Sequence, residues 1–235
     1  MSESNKIITV EGMERFFNDF EPVYNRAEKR RRELERASAP HFNVFNWIRP
    51  DENRLSDILA DLLDPGGSHG QGDIFLRLLL EMLKMPLDSE KTEMTTVYRE
   101  ALTYNIKQCL RRIDVLLEIE SDIFIALENK LYSGDQPHQL KDYMEHLEKC
   151  CERTGKISVL IFLAPNKRIP TSIKKEKMEK YKEDRRLFCW SYTKDIRSWL
   201  IKCRGFCCSE RVRIFLGDFM AYIRNEMTDW SEEDE

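Results

Sequence analysis

Apolar residues recur every three to four positions over residues 8–37. Met13, Phe16, Phe17, Phe20 and Tyr24 share one face of a charged helix there. The second half of that helix, Arg26 to Arg36, carries six Arg or Lys against three Glu. An aromatic patch (Phe42, Phe45, Trp47) and Pro50 follow. The next helix starts at Asp51 or Glu52 with a stripe of Leu55, Ile58, Leu59, Leu62 and Leu63, and Pro65-Gly66-Gly67 ends it. A further apolar helix runs from Ile74 to Met85 and stops at Pro86.

From Thr95 to Leu131 the period changes to two. Arg112 to Ile119 is a strand with its odd positions apolar, and Ile123 to Leu131 is a second. Glu120-Ser121-Asp122 is a polar turn between them, so the two form a hairpin, and a strand near Val97 to Tyr104 extends it to a meander. Helix returns over 136–152. Ile157 to Leu163 is a wholly apolar strand that reads as buried on both faces. A basic segment spans 166–186, a short strand Leu187 to Trp190, and helices run near Thr193–Lys202 and Glu210–Met227. This order predicts an α/β fold whose mixed central sheet, αβββαβ, is flanked by helices with N- and C-terminal helical additions. The expected organisation is a helical extension (1–49), a core (50–165), the basic segment with C-terminal helices packed on the core (166–227), and an acidic tail (228–235).

The chain has 235 residues, enough for a real core without disulfide or metal staples. Seven cysteines, an odd number, and the lack of a basic-then-apolar leader point to a reduced, cytoplasmic protein. No apolar run approaches the roughly 20 residues of a membrane span. The net charge of −4 argues at first against nucleic acid. Its distribution reverses that. The last ten residues hold six acids and no Lys or Arg, so the other 225 residues sum to +2, and residues 166–186 alone carry +5. That segment suits a phosphate-backbone track.

The hairpin carries the sharpest chemistry. Asp114, Glu128 and Lys130 are even-numbered, opposite in parity to the apolar positions. A three-residue turn centred on Ser121 sets Asp114 across from Glu128, at about 5 Å between Cβ atoms. A two-residue turn staggers them by one. Two such carboxylates repel and are desolvated by the sheet, so they need a shared proton, a cationic side chain or a divalent metal. Lys130 is one compensator, and a hard cation such as Mg²⁺ or Mn²⁺ binding phosphate alongside is another. The implied chemistry is metal-assisted hydrolysis of a phosphodiester. Glu128-Asn129-Lys130 is the sole acidic-x-Lys triplet in the chain and lies in an apolar strand, where charge is depleted. The bland alternative is an ordinary Glu–Lys pair on a solvent-facing hairpin.

Gln139 and Tyr143, four apart on the following helix, share a face near the strand end that bears Lys130. Together the stretches Glu52-Asn53, Ser56, Leu59 to Pro65, Ser68 to Gly72, Arg112-Ile113-Asp114, Glu128-Asn129-Lys130 and Asp135-Gln136 with Gln139 and Tyr143 resemble the PD-(D/E)xK nuclease superfamily. The likeness is to a bacterial and phage family on the branch shared with helicase-associated exonucleases. It covers roughly residues 45–165, with Arg112-Ile113 where the name-giving Pro would precede Asp114. The resemblance implies a restriction-endonuclease-like core and a Mg²⁺- or Mn²⁺-dependent deoxyribonuclease. Asp114, Glu128, Glu52 and the carbonyl of Asn129 would then be metal ligands, Lys130 the catalytic lysine, Gln139 a group positioning Lys130 or the phosphate, and Tyr143 its support.

Arg111, Arg112, Lys167 and Arg168, with Tyr143, are expected to bind substrate. DNA is the expected partner, RNA is left open, and a protein partner or homo-oligomer is allowed for; in the partner-activated reading the N-terminal helix and aromatic patch form the interface. His69, in a glycine loop, fits a turn residue better than a ligand. Cys203, Cys207 and Cys208 lack the paired spacing of a zinc site. Two rival functions remain: an effector nuclease switched on by a partner, and a nucleic-acid-binding module on the same fold that has lost catalysis.

Overall fold

The computed structural model describes residues 10–85, 89–103, 110–120, 123–131, 133–166 and 168–227. The acidic tail, Lys167 and Tyr104 lie outside these. The chain divides into two units, 1–42 and 43–235. In the first, α1 (Val10–Ser38) is a single helix with no buried residue.

The second unit is built on a five-stranded sheet of order β1-β2-β3-β4-β5: Thr95–Leu102, Arg112–Ile119, Ile123–Asn129, Ile157–Ala164 and Leu187–Ser191. β1, β2 and β3 form the antiparallel meander, while β4 and β5 add in parallel. The mixed α/β architecture expected from the element order is therefore present. Ile119 pairs with Ile123, so the hairpin takes the three-residue turn. Among the described residues, no helix is long and apolar enough to cross a membrane.

Helices cover both faces of the sheet. On one side α3 (Glu52–Leu63), α4 (Ile74–Leu83), α8 (Arg197–Phe206) and α9 (Glu210–Glu226) pack against Leu117, Ile125, Leu127, Val159 and Ile161. On the other, α6 (Gln139–Thr154) and α7 (Lys175–Glu183) meet Phe124, Ala126, Leu160 and Phe162. This second layer corrects the simple parity reading of the hairpin. The even positions of β3 face α6 rather than solvent, and all seven residues of the strand are buried. β4 is buried on both faces from its second residue onward, as its composition predicted.

Short elements that the period analysis passed over complete the unit: α2 (Phe45–Ile48), α5 (Ser89–Glu93), α7 inside the basic segment, and a π-helical turn at Tyr192–Ile196 that leads into α8. The aromatic patch splits. Phe45 is fully buried and stacks on Phe219 and Tyr222, with ring centroids at 5.0 and 5.5 Å, whereas Trp47 is exposed.

Candidate active site

The chemistry-bearing residues gather where β2 and β3 part. Pairing in the hairpin ends at Val115–Leu127, one residue short of Asp114 and Glu128. On the other side of β2, Arg99 pairs with Val115 and Ala101 with Ile113, but the intervening Glu100 has a φ of 48°. That left-handed backbone is strained for a residue with a Cβ. The alternation of β2 also shifts here: Val115, Leu117 and Ile119 face the α3 side, and Ile113 joins the α6 side. Asp114 thus sits at a local break in the ladder, and its polar groups find other partners.

Those partners are specific. The Asn129 N–H donates to Oδ2 of Asp114 at 2.7 Å. The Asp114 carbonyl accepts from the Arg99 guanidinium, which also donates to Asp57 at 2.8 Å and to the Asn53 carbonyl at 3.2 Å. Arg99 therefore ties the start of α3, where Glu52 lies, to the strand carrying Asp114. Asn129 makes a second tie, since its side-chain amide donates to the Glu52 carbonyl at 3.0 Å and to Ser56 Oγ at 3.3 Å. The buried Tyr192 hydroxyl donates to Asn129 Oδ1 at 3.1 Å. The Glu52 carboxylate accepts from the Ser133 N–H at 3.0 Å and the Ser133 hydroxyl at 2.9 Å.

Glu128 is 1% exposed. Its Oε1 receives Lys130 Nζ at 2.8 Å and Gln139 Nε2 at 2.5 Å, while Oε2 is buried with no hydrogen-bond partner among the described residues. Burial, then the charge of Asp114, push the Glu128 carboxyl from its ordinary 4.5 up to about 8, against the pull of Lys130. Burial likewise raises Asp114, opposed by the Asn129 N–H and the nearby cations. Burial by itself would lower Lys130, but the adjacent Glu128 outweighs it and holds the ammonium protonated above its usual range. Gln139 also donates to the Tyr143 hydroxyl at 2.9 Å, and that hydroxyl donates to the Arg112 carbonyl at 2.5 Å. The i, i+4 face foreseen for α6 is thus used, and it anchors Glu128.

The solvent-facing alternative for the Glu–Lys pair fails on this burial. An unpaired carboxylate oxygen in a buried site costs roughly 1–3 kcal/mol unless something satisfies it. Among the described residues no group of three or more His, Cys, Asp or Glu side chains is ready-made to hold a metal. The donor set still suits a hard cation that keeps much of its water and needs only one or two protein carboxylates. Asp114 and Glu128 are the two carboxylates that could supply it, with Oε2 of Glu128 as a ligand atom.

The expected substrate-binding residues separate. Tyr143 is 1% exposed, so it has no surface to offer a substrate and acts through Gln139 and β2; the expectation of a substrate contact is corrected. Arg111 is corrected too. Its guanidinium is spent on Asp142 at 2.6 Å, Gln136 at 3.0 Å and the Pro137 carbonyl at 2.5 Å, and its side chain is mostly buried. Arg112 stays exposed, at 3.3 Å from Glu100. Arg168 is half-exposed, donates to the Ser133 carbonyl at 2.8 Å and lies over the Phe162 ring. Lys167 lies outside the described residues.

His69 builds its loop: Nε2 meets the Asp64 carbonyl at 3.0 Å, Nδ1 accepts from the Gln71 N–H at 3.0 Å, and the ring packs on Phe75. Cys203 and Cys207 are buried and Cys208 exposed, in no described metal cluster. Four groups that frame the site carried no role in the sequence reading: Arg99, Ser133, Tyr192 and Asp135. The buried Asp135 carboxylate accepts from the Thr171 and Ser172 N–H groups at 2.6 and 3.2 Å, pinning the loop before α6 to the basic segment. Asp135 and Ser56 fall inside motif stretches and had a signal there, whereas Tyr192 and Ser133 had none.

A family profile described as PD-(D/E)XK nuclease superfamily matches residues 42–221. Comparison with curated proteins and with solved structures gives no match.

Proposed function

The chain belongs to the PD-(D/E)XK nuclease superfamily, and from that premise we propose that it is a divalent-metal-dependent deoxyribonuclease of the cytoplasm, acting in defence, restriction or repair. The observation that carries this reading is the Glu128 carboxylate, buried beside Asp114 with one oxygen held by Lys130 and Gln139 and the other unsatisfied. A non-catalytic binding module has no physical need for two desolvated, mutually repelling carboxylates.

In the proposed roles, Asp114 and Glu128 hold a Mg²⁺ or Mn²⁺ ion, with Glu52 and the Asn129 carbonyl completing its shell. The bound ion would supply Lewis-acid charge against the scissile phosphate. With Glu128 ionised, as it would be with the ion bound, Lys130 is kept protonated and is an electrostatic partner for charge that builds on the phosphate rather than a general base. Gln139 fixes the Glu128 carboxylate, and Tyr143 fixes Gln139. Asn129 and Arg99 hold Asp114 against α3. The exposed Lys174, Lys175, Lys177 and Lys180 on and beside α7, with Arg112 and Arg168, supply cations for a nucleic-acid backbone.

The test is digestion of supercoiled plasmid and of single-stranded RNA by purified protein, with Mg²⁺, Mn²⁺ or chelator. DNA cleavage that needs the metal and is lost in Glu128→Ala and Lys130→Ala is expected. Cleavage that survives either substitution in clean preparations overturns the site assignment, and RNA as the sole substrate overturns the choice of DNA.

A further inference from the structure

Within the N-terminal unit, α1 is 29 residues long, which at 1.5 Å per residue is about 43 Å of helix, or four heptads. None of its residues is buried, and Phe16, Phe17, Val23 and Leu34 are each more than 60% exposed. Solvated apolar area on that scale marks an interaction surface.

Its spacing is that of a coiled-coil seam. With Val10 at position a, Met13, Phe17, Phe20, Tyr24 and Ala27 follow alternately at d and a, and Arg31 and Leu34 continue the frame. Pro22 falls at f, on the side away from the seam, where its missing N–H and bulk do least harm. All four e positions are glutamates: Glu14, Glu21, Glu28 and Glu35. The single charged residue in the seam, Arg31, arrives neutralised by its own e-row, with Glu28 at 3.0 Å and Glu35 at 3.8 Å.

We infer that α1 is a dimerisation helix that pairs in parallel with α1 of a second copy of this chain. The charges choose both occupant and direction. In an antiparallel pair the e-rows face each other, glutamate against glutamate, and repel. In a parallel pair each e residue meets the g residue five positions earlier in the partner. Glu35 then faces Arg30 of the second copy, and Arg30 has no ion pair within its own chain among the described residues. Glu21 and Glu28 lay their aliphatic stems over the g residues Phe16 and Val23. The inference stands on α1 alone and does not depend on the nuclease reading.

Sedimentation velocity on the full chain across a hundredfold range of concentration tests it. A species of twice 28.0 kDa is expected. Phe17→Glu with Phe20→Glu should give monomer while the thermal unfolding of the second unit is unchanged. Glu35→Arg alone should weaken the dimer about tenfold, and adding Arg30→Glu should restore it. Monomer at every concentration, or a dimer indifferent to the Phe substitutions, overturns the proposal. A dimer tightened by Glu35→Arg, or a double variant that fails to recover, overturns the parallel arrangement.

Discussion

Lys130 Nζ lies 2.8 Å from Oε1 of Glu128, yet Oε2 of the same carboxylate is buried with no hydrogen-bond partner among the described residues. One oxygen is saturated and the other starved. A cation of the size of an ammonium has already been used on the first, so what the second lacks is a further positive charge or a proton. The raised pKa of the group expresses that deficit.

Removing the charge should stabilise the metal-free protein. Because burial raises Glu128 from 4.5 to about 8, the folded chain binds its proton more tightly than the unfolded chain does. The stabilising effect is full below about 4.5 and is lost as pH rises through 8. Glu128→Gln keeps the neutral shape at every pH. In chelator, its melting temperature should match that of the parent near pH 5 and exceed it by several degrees near pH 8.5, read by differential scanning calorimetry. A constant difference across that range would contradict the assigned proton.

Metal binding should expel that proton. Burial holds the Glu128 proton into the neutral range, and a carboxylate must be ionised to bind a cation. Titration of Mn²⁺ in two buffers of different ionisation enthalpy should report proton release on binding that falls toward zero as pH rises above about 8. Glu128→Ala and Asp114→Ala should abolish the heat. An inactive module on this fold would give none in the parent protein.

Tyr143 should act through the site's frame. Tyr143→Phe removes both the donor to the Arg112 carbonyl and the acceptor for Gln139. A stability loss of about 1–2 kcal/mol is expected from urea denaturation. Cleavage should slow by about tenfold at saturating substrate with KM little changed, since no substrate contact is lost.

The two kinds of arginine and lysine should part company in salt. Charge reversal at Lys174, Lys175 and Lys177 should flatten the dependence of log Kd on log salt for duplex DNA by about 3, near 0.9 per lost phosphate contact. Arg111→Ala should leave that slope alone and instead destabilise the fold by about 3 kcal/mol, because it strands the Asp142 carboxylate. Fluorescence anisotropy at several salt concentrations, with denaturation in parallel, distinguishes them.

The period of the apolar residues determined the elements. Arg112 to Ile119 and Ile123 onward alternate because a strand turns each successive side chain to the opposite face, and the polar Glu120-Ser121-Asp122 leaves three residues for the turn. The sequence left a two- or three-residue turn open, and the Ile119–Ile123 pairing selects the register that brings Asp114 and Glu128 close. The four-residue step from Gln139 to Tyr143, by contrast, is fixed by local helix geometry, which brings both to one side of α6. Whether the carboxylates were wet or dry depended on α6 folding back over β3, and nothing within the hairpin states that. Arg99 reaches Asp57 across 42 residues and Tyr192 reaches Asn129 across 63, ties that exist only once the sheet and its helices have closed. Arg111 shows the same limit from the other side: beside Asp114 in sequence it looks like a phosphate ligand, but the packed loop before α6 consumes its donors. Sequence supplied the reactive groups and their spacing, and tertiary structure decided their solvation and partners, because burial and hydrogen-bond satisfaction are properties of the surroundings that no local pattern encodes.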